Sequence, residues 1–376
     1  MSAPSRAAFK PRGSWLVWVP CIITAVWLSV SHVHDFYVYW LAGRALRAGG
    51  WTAVYQISEL TPFKYHPVFA LLFAPFGLLP ETVARATWAL LNAGMLFDAQ
   101  RRWGKHWTLD PVAIFLGYVC VGHALFWQYM FGNVTFAMLW LWTVALTSAR
   151  VWIEAFSYAL LIAIKPFWLA LAVPWMLARR WMLMARVSVL LVALSLAPLV
   201  LGMHSFFVGY QRWVATFTDP HDAHNFPKTD NQSWYGLLYR HIDALDGRLL
   251  LFWFAGSLAV GVLWLWYWRR TIREAPLPEQ WWRMELSLMP FILWTAPLSW
   301  IHHQILLWPL LALAWQLGRH DRVSRAAFVL SLVLLTVLSQ SIIGRPATLE
   351  VLRLGLPLVA FVLLTWWASR RLAQTA

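Results

Sequence analysis

Apolar runs of roughly 17 to 25 residues recur along this chain from one end to the other, the length at which a helix crosses a ~30 Å hydrocarbon layer. Lipid offers no partner to an unpaired peptide group, so a chain built this way has helices almost as its only option. Twelve crossings can be drawn, at about 14–32, 82–100, 110–127, 134–148, 153–164, 166–178, 187–203, 249–268, 284–300, 304–318, 326–343 and 353–369. Hydrophobic residues make up 60% of the chain and charged residues 12%, which excludes a soluble globular domain. The first run lacks the small-residue cleavage pattern of a signal peptide and is expected to stay as an anchor. The expected fold is all-α: a polytopic integral membrane protein of about twelve transmembrane helices, forming a single domain over residues 1–376.

The net charge of +14 raises the question of a nucleic-acid partner. Its distribution answers no. With the N-terminus placed in the cytosol, nineteen of the 30 Lys and Arg fall in cytosolic tails, loops and span ends. That is the positive-inside pattern, and it puts both termini in the cytosol. Cys21 and Cys120 lie inside apolar runs and suggest neither disulfide nor metal. Many of the 29 tryptophans stand near run ends, Trp15, Trp103, Trp181 and Trp367 among them, where an indole suits the interface.

The runs 153–164 and 166–178 are too short for two full crossings and meet at Lys165-Pro166, which reads as a broken hairpin with its tip inside the protein. Two external segments are long. The first, about 33–81, holds a surface helix from Asp35 to Ala48, a Gly49-Gly50 stop, and a short apolar stretch from Pro67 to Leu79 that lies in the interface or dips in. The second, about 204–247, is polar and rich in His and Asp, with the run Asp219 to Asp222.

Residues that topology leaves unexplained gather on the outer side. Asp35 follows the first apolar run and is flanked by His32 and His34. A carboxylate at the mouth of a span is costly to desolvate; it is either a general base at the boundary or an Asp that caps a helix. Lys165 sits in apolar surroundings and needs an anionic partner, for which a phosphate is natural, unless it snorkels to the interface. His302-His303 end a span, and of two adjacent rings at most one need face a cleft; His303 is favoured. A zinc site is not expected, since the i, i+4 His pair with a nearby carboxylate is missing. Asn231-Gln232-Ser233 fits a glycosylation acceptor or a turn that re-enters the membrane and aims Arg240 at an acidic lipid group. Gly132-Asn133 reads first as a helix cap.

Taken in order, these pieces resemble the polyprenol-phosphate-dependent glycosyltransferases of the GT-C class, and among them glycosyltransferase family 87, an alpha-1,2-mannosyltransferase group. The resemblance rests on Asp35-Phe36 with Trp40 to Leu46, Phe63 to Pro67, Gly132-Asn133, Lys165-Pro166, Asn231 to Ser233 and Trp300 to His303. It departs at His66-Pro67, where Pro-Pro is expected, and at Gly132-Asn133, where Gly-Gln is expected. It implies a GT-C-like fold with interfacial helices in the first external loop and an active site facing the periplasm or exterior of a bacterial inner membrane. It implies inverting transfer of a hexose such as mannose from a polyprenyl-monophosphate donor to a lipid or glycan acceptor, with no cofactor. Asp35 is then the catalytic base. Lys165, Arg240 and His303 bind the donor phosphate. Tyr39, Lys64, Tyr65, His66, Asn133, Asn231 and His302 line the substrates. A monophosphate asks less of a divalent metal than a pyrophosphate, so no required metal is expected. The alternative is a lipid or solute transporter or flippase, which needs intramembrane acids or an inverted repeat. The sequence shows neither, with Glu154 and Glu285 read as lying at cytosolic span ends.

Overall fold

The computed structural model describes Trp27 and residues 35–56, 63–216, 228–229, 231–242, 248–273 and 281–374. The rest of the expected crossing at 14–32, His32, His34 and the run Asp219 to Asp222 lie outside these residues. Among the described residues the regular structure is helical, and the one β-type pairing is a single bridge between Asn231 and Trp300.

Helix α1 (Asp35–Val54) carries an acid in its first turn, which favours the helix dipole, and buries Phe36, Tyr39, Trp40, Gly43 and Leu46 along one stripe. Gly50 leaves helical geometry (φ 66°, ψ −157°), so the Gly49-Gly50 stop is a kink, and one more turn follows it. Helix α2 (Pro67–Phe73) and the 3-10 turn Phe76–Leu78 fold back on α1. That approach is close enough that a Cβ on Gly43 would overlap the Phe73 carbonyl.

Helix α3 (Glu81–His106) leads to α4 (Pro111–Cys120) and α5 (Gly122–Phe131), which meet at a 69° bend. The bend frees the Cys120 carbonyl, and Thr336 Oγ1 donates to it at 2.7 Å from a π-helical turn, Val333–Val337. Helices α6 (Thr135–Thr147) and α7 (Val151–Ile164) follow. Pro166 disfavours helical geometry in the residue before it, so Lys165 is extended (φ −142°, ψ 116°) and α7 ends there. A 3-10 stretch, Pro166–Leu171, then runs into α8 (Ala172–Leu177). The arms fold back on each other: the Tyr158 and Trp175 rings lie 4.6 Å apart, and Arg180 pairs with Glu154 at 2.7 Å. This is a broken hairpin with Lys165 at its tip.

The chain continues through α9 (Trp181–Leu196), α10 (Met203–Ala215), α11 (Trp234–His241), α12 (Arg248–Arg273) and α13 (Trp281–Thr295). A 3-10 stretch, Ile301–Leu307, opens α14 (Trp308–Gly318), and α15 (Arg322–Leu332), α16 (Gln340–Ile343), α17 (Arg345–Arg353) and α18 (Leu356–Gln374) complete the order. The core forms where α13 packs on α18, α14 on α4, and α6 against α3 and α7.

By length and apolarity, three described helices suffice to cross a bilayer: Trp181–Leu201, Arg248–Arg269 and Leu356–Ala373. The bent α4–α5 pair makes a fourth if it is one span. This is fewer than the twelve runs the sequence suggests, because breaks cut several of them. Helix α6 has 13 residues and α7 has 14, or ~20 Å each, short of a ~30 Å layer. The chain is a membrane-embedded helical protein whose outer helices present bare apolar faces, such as Val189, Val192, Phe254 and Val262. Two tryptophans read as interfacial anchors are core residues instead: Trp103 donates to Thr143 Oγ1 and Trp367 to Ser324 Oγ, each at 2.9 Å.

Candidate active site

The turn after α5 sets the position of one side chain. Gly132 takes the left-handed conformation (φ 64°) and caps α5 through its N–H to the Gln128 carbonyl at 2.9 Å. A Cβ there would lie 2.8 Å from Phe36 Cβ, so only glycine lets α1 lie this close. Trp88 Nε1 donates to the Gly132 carbonyl at 2.7 Å, and Gln128 Nε2 donates to the Asn133 carbonyl. Thr135 Oγ1 donates to Asn133 Oδ1 at 3.1 Å, which leaves the amide nitrogen to face α1. Asn133 Nδ2 donates to Asp35 Oδ2 at 2.6 Å. The cap at this turn is thus Gly132, while the Asn133 side chain reaches across to the acid.

A second layer joins this pair to the hairpin tip. The Tyr39 and Tyr65 hydroxyls are 2.7 Å apart, and Tyr65 lies near enough to Asn133 and Asp35 for both to act on its hydroxyl. Lys165 Nζ stands 5.8 Å from the Tyr65 ring centre and 3.2 Å from His303 Nε2, and its charge acts on Asp35. His303 Nδ1 accepts the Trp300 backbone N–H at 3.1 Å, so a neutral ring carries its proton on Nε2, towards Lys165. An ammonium and an imidazole N–H then face one another, donor against donor. An anion accepting from both relieves that conflict. Burial pushes the Asp35 carboxyl above the usual carboxylate range, while the Asn133 hydrogen bond and the Lys165 charge pull it down.

Asp35, Tyr39, Tyr65, Asn133, Lys165 and His303 therefore form one connected group. Lys64 is near enough for its charge to act on Lys165. His302 is buried against Phe131 and His303, at 5.8 and 4.6 Å between ring centres, and its Nε2 has no hydrogen-bond partner among the described residues.

Three other residues read as site residues hold the frame. His66 Nδ1 caps α2 by accepting the Val68 N–H at 3.2 Å, and its Nε2 meets Tyr210 Oη at 2.9 Å. Burial lowers His66 to about 4, which keeps this ring neutral. Asn231 is wholly buried; it donates to the Pro297 carbonyl at 3.1 Å and accepts the Ser299 N–H at 2.9 Å. It braces the segment that leads to His303, and burial at this depth removes it as a glycosylation acceptor. Arg240 donates to the carbonyls of Lys228, Asn231 and Leu352, at 3.0 to 3.3 Å, in place of an acidic lipid group.

A sequence model described as glycosyltransferase family 87 matches residues 63–297, more than half of the chain. The chain belongs to glycosyltransferase family 87. Its matched stretch holds Tyr65, Asn133 and Lys165 and stops short of Asp35 and His303. A relative from Mycobacterium tuberculosis is described as a polyprenol-phosphate-mannose-dependent alpha-(1-2)-phosphatidylinositol mannoside mannosyltransferase. It is 26% identical over 317 residues, which cover 79% of this chain and 72% of the relative. No solved structure matches.

Family membership makes this protein a membrane glycosyltransferase and does not favour a transporter. Sequence reasoning missed several residues of this glycosyltransferase's site. Gln128, Trp88 and Thr135 fix the Asn133 turn, and the Trp300 backbone N–H fixes the His303 tautomer; each of these bonds uses a backbone group or a short amide on at least one side, which leaves no pattern in sequence. Glu285, read as lying at a cytosolic span end, is wholly buried and hydrogen-bonded. Among the described residues no three His, Cys, Asp or Glu side chains stand together as a metal site needs.

Proposed function

We propose that this protein transfers a hexose, mannose first among them, from a polyprenyl-monophosphate donor to a lipid-linked acceptor, with inversion at the anomeric carbon. The observation that carries this reading is the pairing of opposite chemistries over a short span. A carboxylate oriented by Asn133 lies within the electrostatic reach of a cation, Lys165, whose neighbour His303 offers a second donor. The acceptor hydroxyl attacks the anomeric carbon while the bond to the phosphate oxygen breaks and its electron pair leaves with the phosphate. Asp35 takes the hydroxyl proton on Oδ1, since Asn133 holds Oδ2. Lys165 and the His303 Nε2–H meet the negative charge that gathers on the leaving phosphate. A preorganised donor of this kind lowers such a barrier by about 3 kcal/mol. Tyr39, Tyr65 and His302 contact the sugar or acceptor, and the prenyl tail lies between apolar helices.

The name of the mycobacterial relative supports both the donor and an acceptor in the membrane. In this reading the protein is one catalytic domain of GT-C-like architecture in the bacterial inner membrane. Its site faces the periplasm or exterior and both termini are cytosolic, as the distribution of Lys and Arg suggests. Transfer requires neither metal nor cofactor.

The test is incubation of the purified protein in lipid with a panel of polyprenyl-phosphate sugars and lipid acceptors, followed by mass analysis of the lipid products. A hexose added to the acceptor, with release of polyprenyl phosphate and persistence in chelator, is expected. Hexose transfer from a nucleotide sugar, with the polyprenyl donors untouched, overturns the reading.

A further inference from the structure

Glu285 is the most deeply invested group outside the site. It is wholly buried in the first turns of α13, and both carboxyl oxygens are engaged. Trp175 Nε1 donates to Oε1 at 2.6 Å, Trp142 Nε1 donates to Oε2 at 2.9 Å, and Tyr158 Oη stands 2.9 Å from each oxygen. These donors come from three elements. Tyr158 is on α7 and Trp175 on α8, the two arms of the broken hairpin, and Trp142 is on α6. One helical turn earlier on α13, Trp281 takes the Arg180 guanidinium over its ring at 4.0 Å, while Arg180 also pairs with Glu154 at the base of the hairpin. Two successive turns of α13 thus grip both arms.

The grip bears on the site through the ends of these elements. The hairpin tip is Lys165, seven residues past Tyr158, or ~10 Å along a helix. The far end of α13 leads into the Pro297–Ser299 segment that Asn231 braces, and from there to His303. The 3.2 Å spacing of Lys165 and His303 depends on how the hairpin is seated along α13. Sequence position alone made Glu285 an acid at a cytosolic span end.

We infer that Glu285 is a positioning residue for the donor site: it registers the hairpin against α13 so that Lys165 and His303 converge on one phosphate. This rests on the reading of Lys165 as a phosphate ligand. Two indole N–H groups each need an acceptor, and Glu285 supplies one oxygen to each. Glutamine keeps the shape but turns an NH2 towards one of the indoles, donor against donor. Aspartate would withdraw both oxygens from the arms, so glutamine is the cleaner probe.

The experiment is a double-mutant cycle on the full-length protein, with polyprenyl-phosphate mannose as donor probe. Glu285→Gln raises the donor KM roughly tenfold and leaves the acceptor KM within about twofold, because only the phosphate ligands shift. In a Lys165→Ala background the same change adds less than about twofold, since a group that acts through Lys165 has nothing left to position. Effects that multiply across the two backgrounds, or that raise both KM values alike, overturn the inference. Where Glu285→Gln does not fold, Trp175→Phe removes one donor from the same node and is read in the same way. A Lys165→Ala variant with an unchanged donor KM instead brings down the phosphate reading, and this inference with it.

Discussion

Replacing Asp35 with Asn separates chemistry from architecture at this site. The Asp35 carboxylate is held on one side by Asn133 Nδ2 at 2.6 Å, and an amide at position 35 can turn its own oxygen to that donor. The hydrogen bond therefore survives. The variant also removes a charge from a buried setting, so folding and insertion lose nothing from desolvation. What disappears is a group able to take a proton. A positioned general base contributes typically 10² to 10⁴ in rate, or about 3 to 5.5 kcal/mol. Asp35→Asn is expected to cut kcat by that range and to leave the donor KM within a few-fold. The assay is mass-resolved product formation under saturating donor, beside thermal unfolding of the same preparation. An Asp35→Asn protein that turns over within tenfold of the parent would falsify the base assignment. A loss of activity that follows a loss of folded protein would place Asp35 among the frame residues instead.

Three further outcomes follow from the geometry. The base works only when ionised, and burial raises its pKa, so kcat/KM falls as pH drops through a value above that of an exposed aspartate; in Asn133→Ala one pull downward is gone, and this acid limb moves to still higher pH. An acid limb unchanged in Asn133→Ala counts against the Asp35–Asn133 coupling. Asn231→Ala leaves the Ser299 N–H without its acceptor and the Pro297 carbonyl with Ser233 Oγ alone, and costs about 1–3 kcal/mol, seen as a lower Tm with a raised donor KM. Gly132→Ala meets both a positive φ and the Phe36 side chain, costs about 1–3 kcal/mol, and lowers kcat by more than its stability loss explains, because it displaces Asn133.

Much of the site could be read from residue types. Asp35, Asn133, Lys165 and His303 are polar groups in apolar surroundings, and the cost of burying them marks them whatever the fold. The Pro166 rule also locates the hairpin tip, since a residue before proline leaves the helix. Partners across the chain are a different matter. Asn231 and Arg240 carry the same polar signal as Lys165, yet their partners are backbone groups of segments such as 297–299 and residue 352, which no periodicity announces. Glu285 misleads for the reverse reason. It starts an apolar run, as a cytosolic end should, and only the convergence of Trp142, Tyr158 and Trp175 makes it interior. Hydropathy registers apolarity and not the bend at Val121, which breaks the run 110–127 into two helices.

The connected group draws on segments from Asp35 near the start of the chain to His303 near its end. During synthesis the acid emerges well before the imidazole, so a product of translation that ends before His303 lacks one half of the candidate site. A ribosome-bound or prematurely ended chain can occupy the bilayer yet leave the cell's activated sugar lipids unspent. In the proposed reading, catalysis waits until the segment that carries His303 has joined the earlier helices.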